Sequence, residues 1–364
     1  MVNILMFGMS SYPGGIENYL RNVFLTKECS EKIHIDFVSY EDSIAYYDEL
    51  MELGYNVIFV PHLKRQPVGY FKSVLRLFKN NYDAVYINML SAANPIPVFL
   101  AKKNRIKNII LHAHSNSTLK GILRNLFHHI SKKYCDKAAD KRLACSNEAA
   151  EWLFNLNNKN NDVVIIPNAI DVDKHIFSDK DRDEIRAKYL IEDNEVLLGS
   201  VGRLGPEKNN LFMIDILKDL IDKNVPAKLM LIGDGVMREK IQERVAEYNL
   251  SDKVIMTGTI INPECYYSAF DCFLFPSLFE GFGIAALEAQ SAGLKCLCSD
   301  TLSKQLDVTN TIEYLPIDKG VNCWSEYIIS NNLKFNRNLT NKTVAQSDFN
   351  IKSQRSKILE LIYE

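Results

Sequence analysis

The sequence predicts an α/β protein built as two doubly wound, Rossmann-like domains that face each other across a cleft. Three observations lead there. Short apolar runs rich in Val, Ile, Leu and Phe recur along the 364 residues, each ending in a turn signal. They are near-continuous rather than alternating, as strands buried on both faces must be. Amphipathic stretches separate them, and the whole rhythm stops once and restarts.

In the first half the expected strands are Asn3–Met9, Ile35–Tyr40, Asn56–Pro61, Ala84–Met89, Asn108–His114 and Lys141–Ser146. The first pass closes near VVIIPNAIDVDKHIF, and a charged stretch without an apolar run follows, SDKDRDEIRAKYLIEDNE. Strands resume at Val196–Gly202, Lys228–Gly233, Lys253–Gly258, Asp271–Pro276 and Lys295–Ser299. NNLFMIDILKDLIDKN and VMREKIQERVAEYN read as helices between them. The expected domains are residues 1–175 and 176–349, with a terminal helix, 350–364, returning to the first. Ligands in such sheets bind beyond the carboxyl ends of the strands.

Composition excludes several classes. A net charge of −2 argues against a general nucleic-acid binder. The eight cysteines include no CxxC pair, so reduced, buried thiols in a cytoplasmic protein are expected. The chain opens on the strand-like NILMFGM, so no leader is expected, and no apolar stretch reaches ~18 residues.

Three loops carry chemistry. In SSYPGGIENYLRNVF, Gly14 and Gly15 permit close backbone approach just before a helix starting at Ile16. Free amides at a helix start bind anions, although a GG pair by itself is most often only a turn. In GSVGRLGPEKNN, Arg203 and Lys208 follow a strand, and two cations suit a diphosphate. In FEGFGIAALEAQSAG, Glu280 lies in a loop, and a helix begins near Gly283 and carries Glu288. Two carboxylates bracketing helix-start amides fit a polyol, then phosphates, then a diol, which is a sugar nucleotide. A surface acid and an unrelated helix acid would fit the same spacing.

EGFGIAALE resembles the E-x7-E signature of retaining nucleotide-sugar glycosyltransferases of the GT-B fold, family 4. GGIENYL, ACSNEAAEWLF, IIPNAID, GSVGRLGPEKN, LIGDG, VIMTGTI and EAQSAGLKCLCSD follow in that family's order. The EAQ-x-x-G and WLF variants look most like bacterial capsule and exopolysaccharide enzymes. The resemblance implies that Glu280 contacts the donor sugar and Glu288 the ribose. It gives Arg203 and Lys208 the diphosphate and Gly15 close approach to a phosphate, and it places Gly202 among the donor-binding residues. Gly281, Phe282 and Gly283 would offer amides to the sugar, and Ile284 and Ala285 to the phosphates. Thr259 would meet the base. His114 matches the active-site histidine, with His112 as the alternative. Glu17 and Asn18 fall where relatives meet the acceptor. The implied donor is a UDP-sugar, favoured over GDP by family habit alone, and no metal or other cofactor is implied.

Asp171 and Asp173 spell a DxD, a metal–diphosphate motif of another glycosyltransferase fold. In PNAIDVD they read as turn chemistry and helix capping. Between Pro61 and Tyr134 the cations Lys64, Arg65, Lys72, Arg76, Lys79, Lys102, Lys103, Arg105, Lys107, Lys120, Arg124, Lys132 and Lys133 face a single acid, Asp83. Basic amphipathic helices of this kind lie on anionic membranes, which suits a saccharide acceptor on a polyprenyl diphosphate; ordinary solvated helix faces are the other reading. A nucleotide-sugar 2-epimerase and a non-catalytic sugar-nucleotide-binding subunit share the architecture. A NAD-dependent oxidoreductase fits less well, because no GxGxxG follows the first strand.

Overall fold

A computed structural model describes residues 1–12, 14–115, 122–156, 162–280, 282–331, 333 and 337–363. Lys120 and Gly281 therefore lie outside the described residues. The chain forms two compact units, Met1–Ala169 with Ile351–Glu364, and Ile170–Asn350.

The first unit holds seven strands: β1 (Val2–Phe7), β2 (Ile33–Ser39), β3 (Asn56–Phe59), β4 (Ala84–Met89), β5 (Asn108–Ala113), β6 (Lys141–Ala144) and β7 (Val163–Ile165). They form one parallel sheet in the order β3-β2-β1-β4-β5-β6-β7. All six residues of β4 and of β5 are buried, which explains their unbroken apolar reading. Side chains alternate between two cores. Leu5, Phe7, Val85 and Ile87 pack with Tyr70, Val74, Val98 and Ala101 on one face. Ile4, Met6, Tyr86 and Ile110 pack with Tyr19, Leu20, Val23 and Ile358 on the other. The terminal helix Ile351–Tyr363 thus belongs to this unit, and its Arg355 donates to the carbonyls of Asn22 and Val23.

The second unit contains β8 (Val196–Val201), β9 (Ala227–Ile232), β10 (Val254–Gly258), β11 (Cys272–Phe275), β12 (Lys295–Ser299) and β13 (Ile312–Leu315). Its parallel sheet runs β10-β9-β8-β11-β12-β13. The winding direction reverses between β1 and β4 in one unit and between β8 and β11 in the other. Loops leaving the carboxyl ends of such a pair splay apart and open a ligand crevice.

The structure differs from the sequence reading, or adds to it, at three points. The units divide at 169/170, ahead of the expected 175/176. The charged stretch, read as lacking an apolar run, forms a helix, Asp179–Lys188, capped by Ser178. Its Arg182 and Arg186 both pair with Asp271 at the entry to β11, so it is part of the second unit's frame. Strands β7 and β13 add to the expected set. Both are short sheet edges with mostly half-buried residues, and so lack the continuous apolar run of a central strand.

Candidate functional site

In the second unit the two loops at the reversal point meet. Lys208, at the end of the β8 loop, places its ammonium 2.6 Å from the Glu280 carboxylate in the loop after β11. The side chains are 20% and 13% exposed, so the pair is largely shielded. The main chain ties the same loops, since Leu278 N–H donates to the Glu207 carbonyl at 2.8 Å. Lys208 also lies over the Phe275 ring at 5.1 Å.

Arg203 behaves differently. It is 75% exposed and pairs with Glu207 of its own loop at 2.7 Å. Both cations expected on the diphosphate thus have carboxylate partners here. Gly202, with φ of 147°, lets the chain turn out of β8. Gly202, Arg203, Lys208 and Asn210 line a small concavity, and the buried Oδ1 of Asn210 has no hydrogen-bond partner among the described residues. The sequence reading does not single out Asn210. Its signal is faint, a polar residue at the first position of an amphipathic helix, Asn210–Asp222.

Gly283 precedes the helix Ile284–Ser291 with φ of 98°, a left-handed conformation that β-carbons resist. A side chain there would also press on Leu306 and Phe275 at 3.1 Å. The bend leaves amides at the helix start, where the helix dipole favours an anion. Phe282 stacks on Phe349 at 4.9 Å. Thr259, just past β10, is exposed.

Glu288 sits one turn into that helix, with 23% of its side chain exposed. Tyr267, from the helix Glu264–Ala269, donates its hydroxyl to Glu288 Oε2 at 2.6 Å. His175 Nε2 lies 3.9 Å from Oε1. Burial pushes the carboxyl up to about 7, while the Tyr267 hydrogen bond pulls it down and Glu264 pushes it up. Neither Tyr267 nor His175 stands out in the sequence.

In the first unit, Gly14 and Gly15 open the helix Gly15–Phe24. Among the described residues, a Cβ on Gly15 would meet no atom within 4 Å beyond its chain neighbours and its own helix backbone, so packing does not explain this glycine. Glu17 is buried and accepts from Ser10 N–H at 2.8 Å, so it braces the loop. Asn18 accepts from the Tyr46 hydroxyl.

The two histidines separate cleanly. His112, within β5, is fully buried and bonds the Tyr86 hydroxyl at 2.8 Å. His114, just past the strand end, is only partly buried, and its Nε2 lies 2.9 Å from Asn88 Oδ1. The Asn88 amide nitrogen already donates to the Phe7 carbonyl, which leaves Oδ1 as the acceptor. His114 Nε2 must therefore carry the proton, and Nδ1 is left to accept. Burial holds His114 down to about 3, so the ring stays neutral.

Asp171 does not cap as expected. It occupies the position before the 3-10 turn Val172–His175, but its side chain makes no cap hydrogen bond; the turn is closed by its carbonyl accepting from Lys174 N–H. Asp173 falls inside the turn rather than ahead of it. Among the described residues no cluster of three or more His, Cys, Asp or Glu is placed to hold a metal, and no helix is long and apolar enough to cross a membrane. The helices Pro67–Leu77 and Ile122–Ala138 leave Phe71, Leu75, Phe127 and Ile130 exposed.

Both halves of the chain resemble known proteins. The model described as glycosyltransferase family 4 matches residues 13–174, and that of glycosyl transferases group 1 matches residues 181–310. EpsF of Bacillus subtilis, which carries the name of a glycosyltransferase, is 27% identical over 326 residues, 86% of this chain and 84% of its own. The UDP-Gal:alpha-D-GlcNAc-diphosphoundecaprenol alpha-1,3-galactosyltransferase of Escherichia coli is 29% identical over 209 residues, 55% of this chain and 53% of its own. The crystal structure of Anabaena Alr3699/HepE in complex with UDP superposes with a TM-score of 0.79 at 17% identity, covering 100% of both chains. Fold and matched residues together define a glycosyltransferase with the GT-B fold. Within that class the matches are to the group 1, family 4 type.

Proposed function

We propose that the protein is a retaining, metal-independent glycosyltransferase. In this reading it moves a sugar from a UDP-sugar to a saccharide acceptor on a polyprenyl diphosphate, in assembly of a bacterial capsule or exopolysaccharide. The second unit takes the donor and the first takes the acceptor.

The observation that carries the reading is the Lys208–Glu280 contact at 2.6 Å. It joins a phosphate-type cation and a hydroxyl-type carboxylate at the reversal point of one sheet. Breaking a sugar–phosphate bond builds positive charge on the ring and negative charge on the departing diphosphate. Lys208, Arg203 and the amides after Gly283 would stabilise the second, worth roughly 3–4 kcal/mol per well-placed donor. Binding the donor then requires an exchange of partners, with Lys208 turning from Glu280 to phosphate and Glu280 turning to sugar hydroxyls. The acceptor hydroxyl attacks from the face the diphosphate leaves, and a phosphate oxygen takes its proton. His114 Nδ1, an acceptor on a neutral ring, suits a sugar hydroxyl.

The UDP complexes of the Anabaena structure and the diphosphoundecaprenol acceptor in the name of the Escherichia coli relative support the donor and acceptor classes. The exposed aromatic and basic residues of the helices Pro67–Leu77 and Ile122–Ala138 support contact with an anionic membrane surface.

The test is a thermal-shift screen of UDP, GDP and their sugar conjugates, followed by transfer to a lipid-linked acceptor with the product anomer read by NMR. Stabilisation by a UDP-sugar and an unchanged anomeric configuration are expected. An inverted product, or conversion of the UDP-sugar with no acceptor present, overturns the reading; the second outcome would mark an epimerase.

A further inference from the structure

Glu288 is hydrogen-bonded by one side chain and flanked by a second, from two different elements. The Tyr267 hydroxyl donates to Oε2 at 2.6 Å, and His175 Nε2 stands 3.9 Å from Oε1. The Tyr267 ring is fully buried and packs against His175 with centroids 5.6 Å apart. The Tyr267 carbonyl accepts from Arg337 Nη2 at 2.7 Å, and Arg337 also binds the carbonyls of Ser268, Phe270 and Ala292. This part of the frame is therefore rigid. His175 is 5% exposed, and its Nδ1 is buried without a partner among the described residues. A bare lone pair costs less there than an orphaned N–H, so the proton belongs on Nε2, facing the carboxylate.

We propose that Tyr267 and His175 are positioning residues: Tyr267 fixes Oε2 of Glu288, His175 stands beside Oε1, and together they present Oε1, in its ionised form, to the ribose hydroxyls of the donor. The inference rests on the reading that Glu288 binds the ribose. Its consequence is that donor affinity follows the ionisation of one carboxylate.

The groups facing Glu288 are few. The helix Glu264–Ala269 supplies Tyr267 and the carboxylate of Glu264, which favours the protonated form. The turn Val172–His175 supplies His175, neutral because burial holds it down to about 4, with Lys174 acting the same way. Strand β12 supplies the Cys296 thiol, which donates to the Ala286 carbonyl. Phe273 and Phe275 of β11 are apolar. The helix Asn338–Ala345 supplies the neutral Asn341, which reaches Ser291, and the exposed Lys342. The folded carboxyl lies near 7, so the ionised fraction, and affinity with it, rises with pH and levels off above that value.

The experiment measures affinity by calorimetry from pH 5.5 to 8.5 for wild type, Tyr267→Phe, His175→Phe and Glu288→Gln. The probe is UDP-glucose or GDP-mannose, whichever the wild type binds. Both are diphosphate diesters whose own charge is constant over this range, unlike that of UDP. Wild type should gain affinity as pH rises through about 7. Tyr267→Phe removes the bond that favours the ionised form, so affinity at pH 7 should fall about tenfold and the midpoint move upward. His175→Phe should move it the same way by less. Glu288→Gln should bind weakly with no pH dependence in this range.

If Glu288→Gln binds like wild type, or neither nucleotide sugar binds at all, the ribose reading fails first. If Glu288→Gln is weakened but Tyr267→Phe and His175→Phe keep the wild-type midpoint, the positioning role alone is wrong. Should Tyr267→Phe not fold, His175→Phe carries the test: an unmoved midpoint overturns the proposal, and an upward shift supports it.

Discussion

Lys208 and Glu280 lie seventy-two positions apart in the chain, yet their charged ends are 2.6 Å from each other. Each neutralises the other. In the proposed function a donor diphosphate replaces Glu280 beside Lys208, and donor hydroxyls replace Lys208 beside Glu280.

Removing either partner should therefore cost turnover and also unbalance the resting protein. Lys208→Ala is expected to lower kcat/KM by about 100- to 1000-fold, as loss of one preorganised donor does, roughly 3–4 kcal/mol. Glu280→Ala should lose as much or more. The double variant should be more stable than the sum of the single losses predicts, because a shielded charge left without its partner is costly. Steady-state kinetics with thermal melts of the four proteins check this. Full activity in either single variant refutes the assignment.

His114 should not titrate between pH 5 and 8. Burial holds it down to about 3, and a lowered histidine stays neutral across that range. Its ring nitrogen chemical shifts in NMR should be flat there. Asn88→Ala, which removes the acceptor for Nε2–H, should free the ring to adopt the other tautomer and lower kcat with little change in KM for the donor. A titration midpoint near 6.5 contradicts the assignment.

Glu288 predicts a stability effect of opposite sign to the usual carboxylate. Its folded value of about 7 lies above the ordinary 4.5, so the fold favours the neutral form. The associated stability is complete below the ordinary value and is lost as pH rises toward 7. Glu288→Gln should therefore gain on wild type with rising pH, by roughly 3 kcal/mol at pH 8, since the two values lie about 2.5 pH units apart and each unit is worth about 1.4 kcal/mol. At pH 4 the variant should gain nothing. Melting temperatures of both proteins across this range test it.

Gly199 tests packing. A Cβ there would fall 2.3 Å from the ring of Phe270, itself fully buried. Gly199→Ala must displace that ring and should destabilise by about 1–3 kcal/mol, as overpacked cores do. Chemical denaturation measures the loss, and an unchanged midpoint would show that the ring yields freely.

The exposed faces of the helices Pro67–Leu77 and Ile122–Ala138 should bind anionic vesicles at low salt. Phe71, Leu75, Phe127 and Ile130 are each exposed by 43–65%. Co-sedimentation with phosphatidylglycerol vesicles should fall when Phe127 and Ile130 are changed to Ser. It should also fall as salt rises, because each nearby cation contributes roughly 1 kcal/mol through a screened field. No binding at low salt removes the membrane contact.

The sequence by itself determined the two parallel sheets, the glycine bend at Gly283 and the identity of the charged residues. These are local properties. A strand buried on both faces must be apolar throughout, and a left-handed turn must be glycine or nearly so. The tertiary structure decided how those groups pair. It set Lys208 against Glu280, gave Glu288 the Tyr267 hydroxyl, buried His112 while leaving His114 at the strand end, and turned the charged stretch 178–195 into a brace for Asp271. Strand order alone brings such residues together. Partners twenty or seventy positions apart have no periodic signature, and a carboxylate's state is set by the neighbours it is folded against.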